Sequence, residues 1–134
     1  MSKVVIVTGG AGGIGSAICQ GLAEDGHTVV VADFDLVGAE RIAKNLGGEA
    51  LALQVDVGNK ESVGNMVEES LSRFGKIDVL LNGAGIMPRN QVKDIAEEEW
   101  DRVLRINLKG VFLCSQAVAR HMVKTKQGRI ISIA

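Results

Sequence analysis

The chain contains no tyrosine. A reaction that uses a phenol as its acid or base therefore needs a residue from outside these 134 positions. Three Phe and one Trp bring the aromatic content to only 3%, too little for the stacking platforms of single-strand nucleic-acid binders. Neither sign of charge dominates. Lys and Arg number 15 against 16 Asp and Glu, a formal charge of −1, so nucleic acid is not an expected partner. Two cysteines, Cys19 and Cys114, make no disulfide framework and have no metal-ligand spacing. They read as packed thiols of a reducing cytoplasm, and no metal site is expected. No run approaches the roughly 18 apolar residues of a membrane span. The apolar stretch 4–7 is also too short for a signal-peptide core and ends at polar Thr8, so no membrane partner is expected.

What is present fits one globular domain. Hydrophobic residues make up 46% and charged residues 23% of the chain, outside the disordered range. Five short runs are rich in β-branched residues: 4–8, 28–33, 50–57, 78–82 and 129–133. They are near-continuously apolar rather than alternating, as parallel strands covered on both faces are. Between them apolar residues recur at helical spacing. Ile14, Ala17, Ile18 and Leu22 make one stripe; Ala39, Ile42, Ala43 and Leu46 a second; Val63, Met66, Val67, Leu71 and Phe74 a third. Gly26, Gly47 and Gly75 follow these stripes as left-handed helix ends. A longer helical region is expected over 97–126, opened by the acidic turn Glu97-Glu98-Glu99 and closed by cationic Arg120, His121, Lys124 and Lys126. The β-α-β-α-β-α-β-α-β order predicts an α/β fold with a doubly wound parallel sheet and right-handed crossovers.

The first strand runs directly into Thr8-Gly9-Gly10-Ala11-Gly12-Gly13-Ile14-Gly15. A structural turn explains one or two of these glycines, but not five in seven residues. Between a strand and a helix, absent side chains let a pyrophosphate approach the backbone, and the helix start offers free N–H groups. The second strand ends at Asp33, where a carboxylate can accept from both ribose hydroxyls and repel a 2′-phosphate. No Lys or Arg lies within the glycine turn, and apolar Phe34 follows the acid. The expected cofactor is NAD rather than NADP.

The spacing Thr-Gly-x-x-x-Gly-x-Gly, met by Thr8, Gly9, Gly13 and Gly15, resembles the single-domain branch of the short-chain dehydrogenase/reductase family. Four further matches extend that resemblance over the chain. Asp56-Val57 resembles the family's adenine contact, and Asn82-Gly83-Ala84-Gly85 its Asn-Asn-Ala-Gly motif with Gly83 in place of the second asparagine. Asn107 matches its catalytic-site asparagine, and Gly128-Arg129-Ile130-Ile131-Ser132-Ile133 the strand leading to its active-site serine. The resemblance implies a Rossmann-type sheet whose cofactor site uses Gly9, Gly13, Ile14, Gly15, Asp33, Asp56, Val57, Asn82, Ala84 and Gly85. Asn107 is then the one catalytic residue present. It also implies hydride exchange between a nicotinamide and a small alcohol or carbonyl substrate, in a parent that is a homodimer or homotetramer through the 97–126 region.

Plainer roles compete at three of these positions. Asp56 could cap the helix after it, and Asn82 could tie loops together through its amide. Asn107, a poor helix former among apolar neighbours, suggests a kink with a purpose, against an exposed surface asparagine.

Family members run to nearly twice this length and use a serine, a tyrosine and a lysine that are expected beyond Ala134. The sheet accordingly reads as truncated after its fifth strand. Residues 1–134 read as the dinucleotide-binding part of a longer enzyme, expected to be inactive without those groups. The competing reading is a non-catalytic dinucleotide-binding module complete at 134 residues. A different nucleotide-binding fold, such as a sugar-nucleotide epimerase or a methyltransferase, fits the glycine spacing and Asn107 less well.

Overall fold

The computed structural model describes all 134 residues. Its strands are β1 (Val4–Thr8), β2 (Thr28–Asp33), β3 (Leu51–Gln54), β4 (Val79–Asn82) and β5 (Arg129–Ser132). Its helices are α1 (Gly13–Glu24), α2 (Leu36–Leu46), α3 (Lys60–Phe74), α4 (Glu97–Leu104) and α5 (Gly110–Thr125). All strand pairs are parallel, in the order β3-β2-β1-β4-β5. The doubly wound α/β sheet expected from the apolar runs is therefore the fold observed.

Strand parity divides the core in two. Successive side chains point to opposite faces of a sheet. Val4, Ile6, Val30, Ala32 and Leu80 thus pack with Val63 and Met66 of α3 and with Val118 of α5. Val5, Val7, Val29, Val31 and Leu81 pack on the other face with Cys19 of α1 and with Ala39 and Ala43 of α2. Both thiols are buried. Burial pushes Cys19 up to about 11, against a small opposing effect of a backbone hydrogen bond, and pushes Cys114 up to about 12. They stay protonated and unreactive near neutrality.

Helix ends follow local chemistry. Asp35 caps α2 by accepting from the Gly38 N–H, and Asn59 caps α3 by accepting from the Ser62 N–H. Asn59, not Asp56, is thus the cap of the helix after β3. Gly75 ends α3 at φ +75, its N–H donating to the Leu71 carbonyl.

The long helical region keeps its expected bounds, 97–126, but not its continuity. It is interrupted by a π turn at Arg105–Lys109 between α4 and α5. It ends on Lys126 at φ +56, two residues before Gly128. The third strand is also shorter than the run 50–57: Val55 still donates to the Asp33 carbonyl, after which the chain turns away at Asp56. A single 3₁₀ turn, Val92–Asp94, precedes α4. His27 Nδ1 accepts from the Lys3 N–H at 3.4 Å.

Asp78 fastens the start of β1. Its Oδ2 accepts from the Val4 N–H at 2.7 Å and lies 3.0 Å from the Lys76 ammonium. Burial alone would raise this carboxyl, but the Val4 N–H and then Lys76 outweigh it and hold it below its usual range. A folded-state pKa below the unfolded one stabilises the protein above the unfolded value, and that stability is lost as pH falls through the folded value. Asp78→Asn is expected to lower stability by about 1 kcal/mol at pH 7, with the difference shrinking below about pH 4. Urea melts across that range check it; a difference independent of pH contradicts the assignment.

Candidate dinucleotide site

Strand order reverses between β1 and β4: the chain leaves β1 toward β2 and β3, then returns to the other side of β1 as β4. In open α/β sheets the crevice at such a reversal, outside the carboxyl ends of the strands, is where ligands bind. A cavity of about 710 Å³ lies there. Gly9, Gly13, Ile14 and Gly15 line it from the glycine turn, and Asp33 from the end of β2. Asp56 and Val57 line it from beyond β3, and Ala84 and Gly85 from the turn after β4. Nine of the eleven residues singled out from the sequence thus converge on one cavity.

The glycines differ in what they do. Gly9 adopts φ +70, and a Cβ there would lie 2.7 Å from the Gly83 carbonyl oxygen and 2.8 Å from the Ala84 Cα. A Cβ on Gly15 would collide with the Gly9 carbonyl. These two let the turn close on itself and on its neighbour. At Gly13 a Cβ would meet nothing of the protein within 4 Å. The fold does not require that glycine, so the space it leaves faces the cavity.

Helix α1 begins without a side-chain cap or an acidic residue in its first turn. The N–H groups of Gly13, Ile14 and Gly15 find no acceptor in the chain. Such orphaned donors, at the positive end of a helix, suit a pyrophosphate. Asp33 carries two backbone bonds: Oδ2 accepts from Ala11 and Oδ1 from Asp35, each at 3.0 Å. An ionised carboxylate has about four acceptor sites, so roughly two remain for a ribose diol. The residues present therefore fit a dinucleotide.

Asn82 and Asn107 do not line the cavity. Asn82 is buried, and its amide donates to Ser115 Oγ at 3.1 Å and Ser132 Oγ at 3.3 Å, tying β4 to α5 and β5. This is the tying role weighed for it against a direct cofactor contact. Asn107 lies in the π turn, so the interruption suspected there is real. Its Oδ1 accepts from the Ile86 N–H and its Nδ2 donates to the Ile86 carbonyl, both at 2.8 Å. The reciprocal pair fixes the segment after β4 at the cavity rim.

Two residues make contacts that no motif specified. Thr8 is buried, and its hydroxyl accepts from the Gly83 and Ala84 N–H groups at 3.1 and 3.3 Å. Arg105 pairs with Asp56 at 3.0 Å and also lines the cavity. Each joins segments far apart in sequence, beyond any local pattern.

The two kinds of glycine predict opposite outcomes. Gly15→Ala is expected to lose at least about 2 kcal/mol of stability through its clash. Gly13→Ala is expected to stay within about 1 kcal/mol of the parent, on the stable side, as an alanine in an open helical position does. Parallel denaturant melts decide it; equal losses would contradict the distinction.

The chain is similar to known proteins over nearly its whole length. The family model described as short chain dehydrogenase matches residues 3–134. A 3-oxoacyl-[acyl-carrier-protein] reductase of Synechocystis is 43% identical, the alignment covering 98% of this chain and 55% of the reductase. An NAD-dependent glycerol dehydrogenase of Listeria innocua is 39% identical, covering 98% of this chain and 52% of that protein. The crystal structure of gox2181 superposes with a TM-score of 0.94 at 38% identity, over 99% of this chain and 53% of that one. The chain thus spans about half the length of the curated relatives it matches. On the family match, the reversal-point cavity and the glycine turn together, this chain belongs to the short chain dehydrogenase family.

Proposed function

We propose that the chain supplies the cofactor-binding half of an NAD-dependent oxidoreductase acting on a small alcohol or carbonyl compound. The observation that carries this reading is one cavity shared by the acceptor-free N–H groups of α1 and the Asp33 carboxylate. The N–H groups of Gly13, Ile14 and Gly15 would hold the pyrophosphate, and Asp33 the adenosine ribose. Val57, Ala84 and Gly85 would line the path of the dinucleotide. Bound NAD would supply the hydride acceptor, and NADH the donor.

Asp33 also supports the choice of cofactor. A 2′-phosphate would place a dianion against a carboxylate, with no cation in the glycine turn to offset it. The cations lining the cavity, Arg102 and Arg105, belong to α4 and the π turn instead. Asn82 and Asn107 act at one remove, holding β5 and the Ile86 segment where substrate and cofactor would meet. Proton transfer to or from the substrate oxygen needs an acid or base near neutrality. No phenol exists in these residues, both thiols are buried, and neither His27 nor His121 lines the cavity. Turnover therefore depends on groups that residues 1–134 do not supply. The two named relatives act on an acyl-carrier thioester and on glycerol, which share carbinol and carbonyl chemistry but no common shape. The substrate is accordingly proposed only as that class.

No helix is long and apolar enough to cross a membrane. A cytoplasmic setting, with both cysteines reduced, is part of the proposal. So is self-association. Trp100, Leu104, Leu108 and Phe112 are exposed at four-residue intervals through α4, the π turn and α5. That stripe suits a second copy forming a homodimer, or two such pairs a homotetramer.

NADH is expected to bind at least about tenfold more tightly than NADPH, with Asp33→Ala narrowing that gap. Fluorescence titration with both cofactors tests it, and tighter NADPH binding would overturn the NAD assignment. The 134-residue chain mixed with NADH and a carbonyl substrate is expected to show no oxidation of the cofactor. Sedimentation of the same sample at micromolar concentration is expected to show association. A cooperative monomer would remove the Trp100–Phe112 stripe as an interface.

A further inference from the structure

Asn82-Gly83 is the one Asn-Gly pair in the chain. A glycine after asparagine leaves the peptide nitrogen open, because no Cβ hinders its approach to the asparagine side chain. The structure nevertheless requires this glycine: a Cβ there would lie 2.7 Å from the Thr8 carbonyl oxygen. The close approach of the turns after β1 and β4 thus installs a chemically labile pair beside the cavity that Gly83 lines.

The reaction open to the pair needs no cofactor or oxidant. The Gly83 nitrogen attacks Cγ of Asn82, an N–C bond forms, and the Cγ–Nδ2 bond breaks. Nδ2 leaves as ammonia, taking the proton lost from the Gly83 nitrogen. The resulting succinimide takes up water at either carbonyl and opens to aspartate or isoaspartate.

The fold holds the two reacting groups apart through separate partners. The Gly83 N–H donates to Thr8 Oγ1 at 3.1 Å, toward β1. Thr8 is buried, and its own hydroxyl proton is directed at the Leu81 carbonyl, 3.4 Å away. The Asn82 amide instead donates to Ser115 and Ser132, toward α5 and β5. The Asn82 backbone between them stands opposite Thr8 on one side and Ser132 on the other, and its carbonyl accepts from the Ile133 N–H at 3.1 Å. Ring closure turns this peptide out of the ladder, so the junction must open first. Asn82 is only 3% exposed, which also keeps out the water that opens the ring.

We propose that Asn82-Gly83 is a masked deamidation site guarded by the Thr8 hydroxyl. Its product puts a carboxylate in place of the amide donor, between two hydroxyls. Isoaspartate also adds a methylene to the backbone at a position paired on both sides. Either product unfastens β4 from α5 and β5 and parts two walls of the cavity. Opening of the junction thereby becomes a permanent chemical change.

The test incubates the full chain in warm, mildly alkaline buffer. The tryptic peptide 77–89, which holds no other asparagine, is followed by mass spectrometry for amide-to-acid exchange. Conversion in buffer is expected to be at least about tenfold slower than in the same chain in urea. Thr8→Val keeps the shape but leaves two N–H groups unpaired, and is expected to convert about fivefold faster than the parent. Thr8→Ser, which retains the hydroxyl, is expected to stay near the parent. Thr8→Val also loosens the fold, so Val63→Ala serves as comparison: it weakens the core under α3 and keeps the Thr8 hydroxyl. With urea adjusted to give both variants the same folded fraction, Thr8→Val is expected to remain the faster. Equal parent rates in buffer and in urea overturn the masking. Equal rates for the two variants at matched stability assign the protection to folding alone and overturn the role of Thr8.

Discussion

The site depends on how closely two turns approach each other at the reversal of the sheet. Gly9 and Gly83 follow neighbouring strands, and their backbones meet with no room for a Cβ on either. The Thr8 hydroxyl closes the junction by accepting from the Gly83 and Ala84 N–H groups. A buried acceptor of this kind satisfies two backbone donors that the end of the β4 ladder would otherwise leave unpaired. With the junction closed, the start of α1 and the turn after β4 become two walls of one cavity. A side chain at Gly83 would meet the Thr8 carbonyl oxygen at 2.7 Å, so the departure from the family's Asn-Asn pair suits the approach seen here.

The π turn at 105–109 performs a second joining. A regular helix spaces residues by 100° and would carry Arg105 and Asn107 around one cylinder. The wider turn, a form that recurs at functional sites, instead serves two separate anchors. Arg105 reaches Asp56 beyond β3, and Asn107 clasps Ile86 beyond β4. One short segment thereby references both sides of the cavity to the same helix. That is a physical reason for an asparagine in the middle of a helical run, where intrinsic propensity disfavours it.

Legibility in the sequence followed the range of the interactions. The five strands could be read from continuous apolar runs, and the first three helices from burial that repeats every 3.6 residues. The glycine turn could be read because its residues are adjacent. Asp33 could be read because a strand end and a turn fix its distance along the chain. The Asp56–Arg105 pair spans 49 residues, the Asn82–Ser132 contact 50 and the Asn82–Ser115 contact 33. No local pattern encodes such pairs. The π turn was legible only as an anomaly at Asn107, since its cause lies in Ile86 rather than in its neighbours. The third strand appeared too long because buried Val55 and Val57 continue its apolar run after the ladder ends. Burial persists there under α3 and α5 without strand pairing.

The charges of the cavity divide the work of recognition. The glycine turn has no cation, so a pyrophosphate would be met by backbone dipoles alone. Those dipoles are fixed by the fold and are indifferent to which dinucleotide brings the phosphates. The cavity also holds two carboxylates, Asp33 and Asp56, which differ in their partners. Asp33 is held by backbone N–H groups only, so it keeps its full negative field toward a ribose. Asp56 is held by Arg105, which offsets its charge and leaves a directional pair instead. One acid therefore stands in the cavity as an uncompensated charge, and the other as half of an ion pair.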